Sequence, residues 1–134
     1  MQTFLPYADF EQTAKCLDYR RLGKQRVEAM QIYKAILLPD YGWQNHPAVN
    51  MWRGHLGWLA RYYNRIVKEW VARGYRNNMP YMEHLEGNPP PWLGWDAFHI
   101  SHRSKLLQKF PSHYSAYFSK ETPRDLEYVW PVQK

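Results

Sequence analysis

A chain of 134 residues is long enough for one domain with a real core, without disulfide or metal staples. Its 45% hydrophobic and 22% charged residues are ordinary, whereas 7 Trp, 11 Tyr and 5 Phe, 17% of the chain, are not: rings in that number can build a compact core or supply stacking surfaces for bases. The formal charge of +6 favours a polyanionic partner, most simply nucleic acid.

The N-terminus "MQTFLPYADF" lacks the charged and apolar regions of a secretory leader. After Pro6, Asp9 as N-cap and Gln12 as its weak capping-box partner predict a helix running to about Leu38, where Pro39-Asp40 ends it. Cys16 is the only cysteine, which excludes an intramolecular disulfide and a cysteine-based zinc site and points to a reducing compartment. The helical wheel carries a conflict. Phe10, Ala14 and Leu17 share one side, but that side continues as Arg21, Lys24 and Glu28, while Leu22, Ala29, Met30, Tyr33 and Leu37 lie opposite. Either the helix breaks near Gly23, or the charged stripe is sheltered.

Pro47 and Gly74 bracket a second helix, with Val49, Trp52, Leu56, Leu59, Tyr63, Ile66 and Trp70 as its apolar stripe. Arg53, Arg61, Asn64, Arg65 and Lys68 lie on or beside its opposite face. Residues 77–95, with three consecutive prolines, read as an ordered loop. A third helix covers about Asp96 to Lys109, with Trp95, His99, His102, Leu106 and Phe110 on one side. The remaining segment reads as an aromatic tail packed over the helices. Strand signals are weak, so the expected class is all-α: one compact domain over 1–134 with about three main helices.

No Walker or dinucleotide loop, no G-x-S-x-G, no H-E-x-x-H and no cysteine pair is present, so neither a metal nor another cofactor is expected. The basic run "DYRRLGKQRVE" reads in two ways. Glu28–Lys24 and Asp18–Arg21 pairs would make it a solvated face, whereas Arg20, Arg21, Lys24 and Arg26 could grip successive phosphates. Two further islands, "GWQNHPAVNMWRGH" and "FHISHRSKLL", set Asn45, His46, Arg53, His99, His102 and Arg103 beside rings, as a base-holding site would. A helix start or a buried polar cluster would produce the same islands.

These pieces, with "FLPYADF", "RGY" and the aromatic tail, resemble the pyrimidine-dimer DNA glycosylases of the endonuclease V type, and more closely their bacterial and phage branch. The resemblance implies an all-α DNA repair fold with an N-terminal arm between the helices. It implies a double-stranded, damaged or modified DNA partner, a monomer, and a cytoplasmic location, nucleoid-associated or in a phage-infected cell. It also implies base flipping, attack of a chain-terminal α-amine on C1′, imine formation and β-elimination. Carried across, Arg20 falls on the family's arginine, and Arg21 on its glutamate within "Y-R-E-L". The carboxylate would then be Glu28, or Asp18, and Met1, retained before bulky Gln2, would supply the amine. Two alternatives stand beside this expectation: a non-catalytic module binding DNA or a modified nucleotide, and a fold redirected to another base modification.

Overall fold

Asp9 opens the first helix, its carboxylate accepting the N–H groups of Glu11 (2.9 Å) and Gln12 (3.4 Å). In the computed structural model, which describes residues 1–83 and 86–131, this is α1, Phe10–Cys16. It is followed by α2 (Tyr19–Leu37), α3 (Pro47–Asn50), α4 (Leu56–Ala72), α5 (Asp96–Lys109) and α6 (Pro111–Tyr114). The described residues contain no strand; the fold is all-α, with α2, α4 and α5 as its long helices. None of these helices is long and apolar enough to cross a membrane.

The expected helix from Asp9 to Leu38 is two helices. The chain is extended at Leu17 and Asp18 (ψ 137° and 158°), because Asp18 is committed to a buried network. Its N–H donates to the Tyr114 hydroxyl (3.0 Å), and its carboxylate accepts that hydroxyl's proton and both bonds from Arg21 Nη1 (3.1 Å each). The kink resolves the wheel conflict: Ala14 and Leu17 now reach the same core as Leu22 and Ala29. Gly23 does not break α2. A Cβ there would stand 2.9 Å from the Trp70 ring, so glycine is required for the close approach of α2 to α4.

The second helix is likewise divided, by a turn at Gly54 (φ 83°) between α3 and α4, and it ends at Gly74 (φ 90°) as its C′ glycine predicted. Its stripe holds the core together: Val49, Trp52, Leu59, Tyr63 and Ile66 are fully buried. Many of the rings build the core, where Trp52 meets Trp92 edge-on at 4.9 Å and Trp92 meets Phe98 at 5.0 Å. The 77–95 loop is pinned by Tyr63 donating to the Pro80 carbonyl (2.6 Å) and by a reciprocal pair between Asn64 and the Met82 backbone (2.8 Å each). The tail lies on α5, where Ser104 and Ser101 accept the N–H groups of Leu126 (3.0 Å) and Val129 (3.1 Å).

The N-terminal arm, residues 1–8, is non-helical and largely buried without a partner strand, so side chains must satisfy its peptide groups. Gln25 Oε1 accepts the Phe4 N–H (3.0 Å) and Gln25 Nε2 donates to the Gln2 carbonyl (3.0 Å). His102 Nδ1 accepts the Leu5 N–H (2.9 Å), and His99 Nδ1 donates to the Leu5 carbonyl (2.8 Å). Arg103 donates to the Pro6 carbonyl (2.6 Å). The His99 tautomer follows from its other nitrogen, which accepts the Gly94 N–H (2.9 Å).

These bonds make the arm pH-sensitive. Burial lowers His102 to about 3, so it stays neutral and keeps its acceptor nitrogen. The unfolded chain takes up this proton at about pH 6.5, so stability is whole above that value and falls as pH drops toward 3. His102 alone should cost about 1.4 kcal/mol at pH 5.5, and His99, lowered chiefly by burial, adds in the same direction. Urea midpoints at pH 7.5 and 5.5 measure it; His102→Gln should flatten the slope.

Candidate active site

The arm ends beside the charged stripe of α2. The Met1 side chain is 2% exposed, while the residue as a whole is only half-buried, so what Met1 shows to solvent is its main-chain end. Its α-amine lies 3.8 Å from Glu28 Oε1. The other carboxylate oxygen accepts from Gln25 Nε2 (3.0 Å), the same nitrogen that holds the Gln2 carbonyl. One amide therefore fixes both the arm that carries the amine and the carboxylate that faces it. Gln25 is itself fully buried, its Oε1 lying 2.7 Å from the Tyr62 hydroxyl, which also reaches the Phe4 carbonyl (2.8 Å).

Around this pair is a cavity of about 390 Å³ lined by Met1, Gln2, Phe4, Arg20, Arg21, Lys24, Glu28, Lys109 and Tyr128. Its four cations surround one carboxylate, a charge balance suited to an anionic ligand that must still present an electrophile to a base. Arg21 also pairs with Asp18, whose carboxyl is pushed up by burial but pulled below its ordinary value by the combined Tyr114 and Arg21 bonds and the arginine's charge. Tyr128 is held as a neutral phenol, raised to about 12 by burial.

A larger cavity of about 560 Å³ lies against α1 and α4, lined by residues including Asp9, Glu11, Arg61, Arg65 and Tyr81. Its size does not make it the site. Glu11 there is paired with Arg65 and Lys15, and the cavity has no nucleophile beside a base.

The other residues singled out from the sequence fall into separate places. Arg20, Arg21 and Lys24 reach the cavity with Met1 and Glu28; Arg26 turns away, stacking on Trp70 (4.3 Å) and donating to Asn77 (2.7 Å). His99, His102 and Arg103 hold the arm from beneath and do not line the cavity. His46 caps α3, accepting the Ala48 N–H (3.0 Å), and is lowered by burial and by the positive charge of the chain-terminal amine nearby. Arg53 clamps the loop before it, donating to the Gln44 carbonyl (2.6 Å) and side chain (3.2 Å). Asn45 is exposed, its carbonyl accepting from Asn50 (3.4 Å). Among the described residues no cluster of three or more His, Cys, Asp or Glu side chains could hold a metal ion.

Sequence reasoning missed Gln25, Lys109 and Tyr128. Gln25 had one available signal: it sits three residues before Glu28 on α2, within reach of the same side-chain row. Lys109 and Tyr128 are brought in by tertiary contact alone.

No curated protein and no solved structure is significantly similar to the chain. The family model described as pyrimidine dimer DNA glycosylase, however, matches residues 1–83, well over half of the chain and including the arm and all of α2. An amine and a carboxylate held together in a cationic cavity fall within that match, and the chain belongs to the pyrimidine dimer DNA glycosylase family.

Proposed function

We propose that this protein excises a damaged or modified pyrimidine from duplex DNA, with the Met1 α-amine as nucleophile and Glu28 as its proton acceptor. One observation carries the reading: the amine and a carboxylate stand 3.8 Å apart at the edge of a cavity with four cations. That separation is an ion-pair distance; catalytic contacts are often long in the free protein and tighten on the bound substrate.

In the proposed sequence Glu28 takes a proton from the amine, and the freed lone pair forms a bond to C1′. The C1′–N bond to the base breaks, the base leaving with the electron pair and a proton. The sugar ring then opens at O4′, which is protonated, leaving an imine between Met1 and C1′. Loss of a 2′ proton expels the 3′ phosphate and cuts the strand. The developing positive charge at C1′ lies beside the Glu28 carboxylate, which is where electrostatic stabilisation acts. Arg20, Arg21, Lys24 and Lys109 would hold the flanking phosphates. His99, His102 and Arg103 would act at a distance, by holding the arm that positions the amine.

Borohydride reduction tests the imine. Incubated with duplex DNA containing an abasic site, the protein should form a covalent adduct that maps to the peptide beginning at Met1. One extra residue ahead of Met1 should abolish the adduct. DNA binding without any adduct would overturn the amine's role. It would favour a non-catalytic binding module, the reading supported by Arg21 occupying the family's glutamate position and pairing with Asp18.

A further inference from the structure

Met1, Lys24 and Glu28 line a second cavity as well, of about 440 Å³, completed by Val27, Gln31 and Trp43. Its chemistry differs from that of the first. Lys24, Val27, Glu28 and Gln31 form one face of α2, and opposite them stands an indole that is 56% exposed. The cationic cavity suits phosphates; this one offers a flat ring, an apolar side chain and an amide.

Trp43 is an unusual residue to leave there. Its φ of 70° makes it the only non-glycine in the left-handed region among the described residues, a conformation that bulky side chains rarely adopt. The surrounding loop enforces it. Gln44 Nε2 shares its two hydrogens among the carbonyls of Ala35 (2.7 Å), Leu38 (3.1 Å) and Tyr41 (3.0 Å), Arg53 clamps Gln44 in turn, and the His46 N–H donates to the Trp43 carbonyl (3.1 Å). His46 packs against the indole at 6.0 Å, the two rings nearly perpendicular. A strained, rigidly held and solvent-facing indole beside the reactive amine is a costly arrangement for packing alone.

We infer that Trp43, Val27 and Gln31 form a base-holding subsite that receives the unstacked nucleobase of the nucleotide whose C1′ faces Met1. The inference rests on the proposed role of the amine. A nucleotide's base is bonded directly to C1′, while its phosphates leave the sugar from the other side. Two cavities sharing Met1 and Glu28 match that divergence: phosphates toward Arg20, Arg21 and Lys109, base toward Trp43. The indole stacks on the ring, which is sequence-tolerant, and the Gln31 amide offers a donor and an acceptor to the base edge.

Binding without chemistry tests this. The probes are a duplex with one bulged thymine and the same duplex with a tetrahydrofuran residue at that position, which has no base. The protein should bind the thymine duplex about 5- to 150-fold more tightly, the range that stacking of one base supplies. Trp43→Ala should remove that preference while leaving affinity for the tetrahydrofuran duplex within about twofold; Trp43→Phe should keep most of it. Trp43→Gly suits the left-handed backbone, so it should lose the preference with an equal or higher melting temperature, separating recognition from folding. The inference is overturned if the wild type does not discriminate, or if Trp43→Ala binds both duplexes as wild type does or weakens both equally. Docking of a protein on this face would give one of those results. Borohydride trapping of the wild type reports separately on the amine: trapping without base discrimination removes the subsite alone, and absence of trapping removes the amine's role.

Discussion

Glu28→Gln is expected to lower base release by about 100- to 10,000-fold, the range that general acid–base groups supply, with DNA affinity and fold close to wild type. The substitution is nearly isosteric, and the new amide can still present its carbonyl oxygen to Gln25 Nε2, 3.0 Å away in the native protein. What it removes is the charge facing the Met1 amine and the ability to take that amine's proton. Single-turnover cleavage of the C1′–N bond in ultraviolet-irradiated duplex DNA, read as strand breaks after alkali treatment, measures the chemistry, and a filter-binding titration of the same DNA measures affinity. Retained activity would remove Glu28 from the mechanism and return attention to Asp18. That carboxylate, however, is 4% exposed and already holds Arg21 and Tyr114, which leaves it little freedom to act at C1′.

The second large effect is expected at Gln25. Gln25→Met keeps the volume but deletes every hydrogen bond of a side chain with no solvent exposure. The Phe4 N–H and the Gln2 carbonyl lose their partners inside the protein, and the Tyr62 hydroxyl keeps only the Phe4 carbonyl. At about 1–3 kcal/mol for each of these two orphaned buried groups, a loss of about 2–6 kcal/mol follows, readable as a shifted urea midpoint. Activity should fall further than stability explains. Well below the new midpoint, where the variant is folded, borohydride trapping should be reduced at least tenfold while duplex affinity changes little, because the amine and Glu28 have lost their common anchor. A folded variant that traps abasic DNA at the wild-type rate would assign Gln25 to stability alone.

Both effects trace to one economy in the fold. A non-helical arm buried among helices has no strand to pair with, yet its peptide groups must be satisfied. Gln25, Tyr62, His99, His102 and Arg103 serve as a partner strand made of side chains. Such a partner can hold a chain terminus at one point on the surface. A sheet would have needed a longer edge.

Much of this was legible in the sequence because it is local. The cap at Asp9, the first-turn proline at Pro47, the C′ glycine at Gly74, the α5 limits and the α4 stripe all follow from contacts within a few residues, where spacing and residue type suffice. The wheel conflict along residues 10–37 signalled that one straight helix could not serve the whole segment. It could not place the break, because the break at Leu17–Asp18 is set by Tyr114, 96 residues away. The same limit governs the site. The sequence by itself determined an all-α chain, the cations of α2 and the family to which they point. Only the tertiary structure decided that Glu28 faces the Met1 amine, that His99 and His102 hold a backbone, and that Trp43 stands beside both. Helical periodicity says which residues share a face, whereas what that face meets depends on packing between segments far apart in the chain.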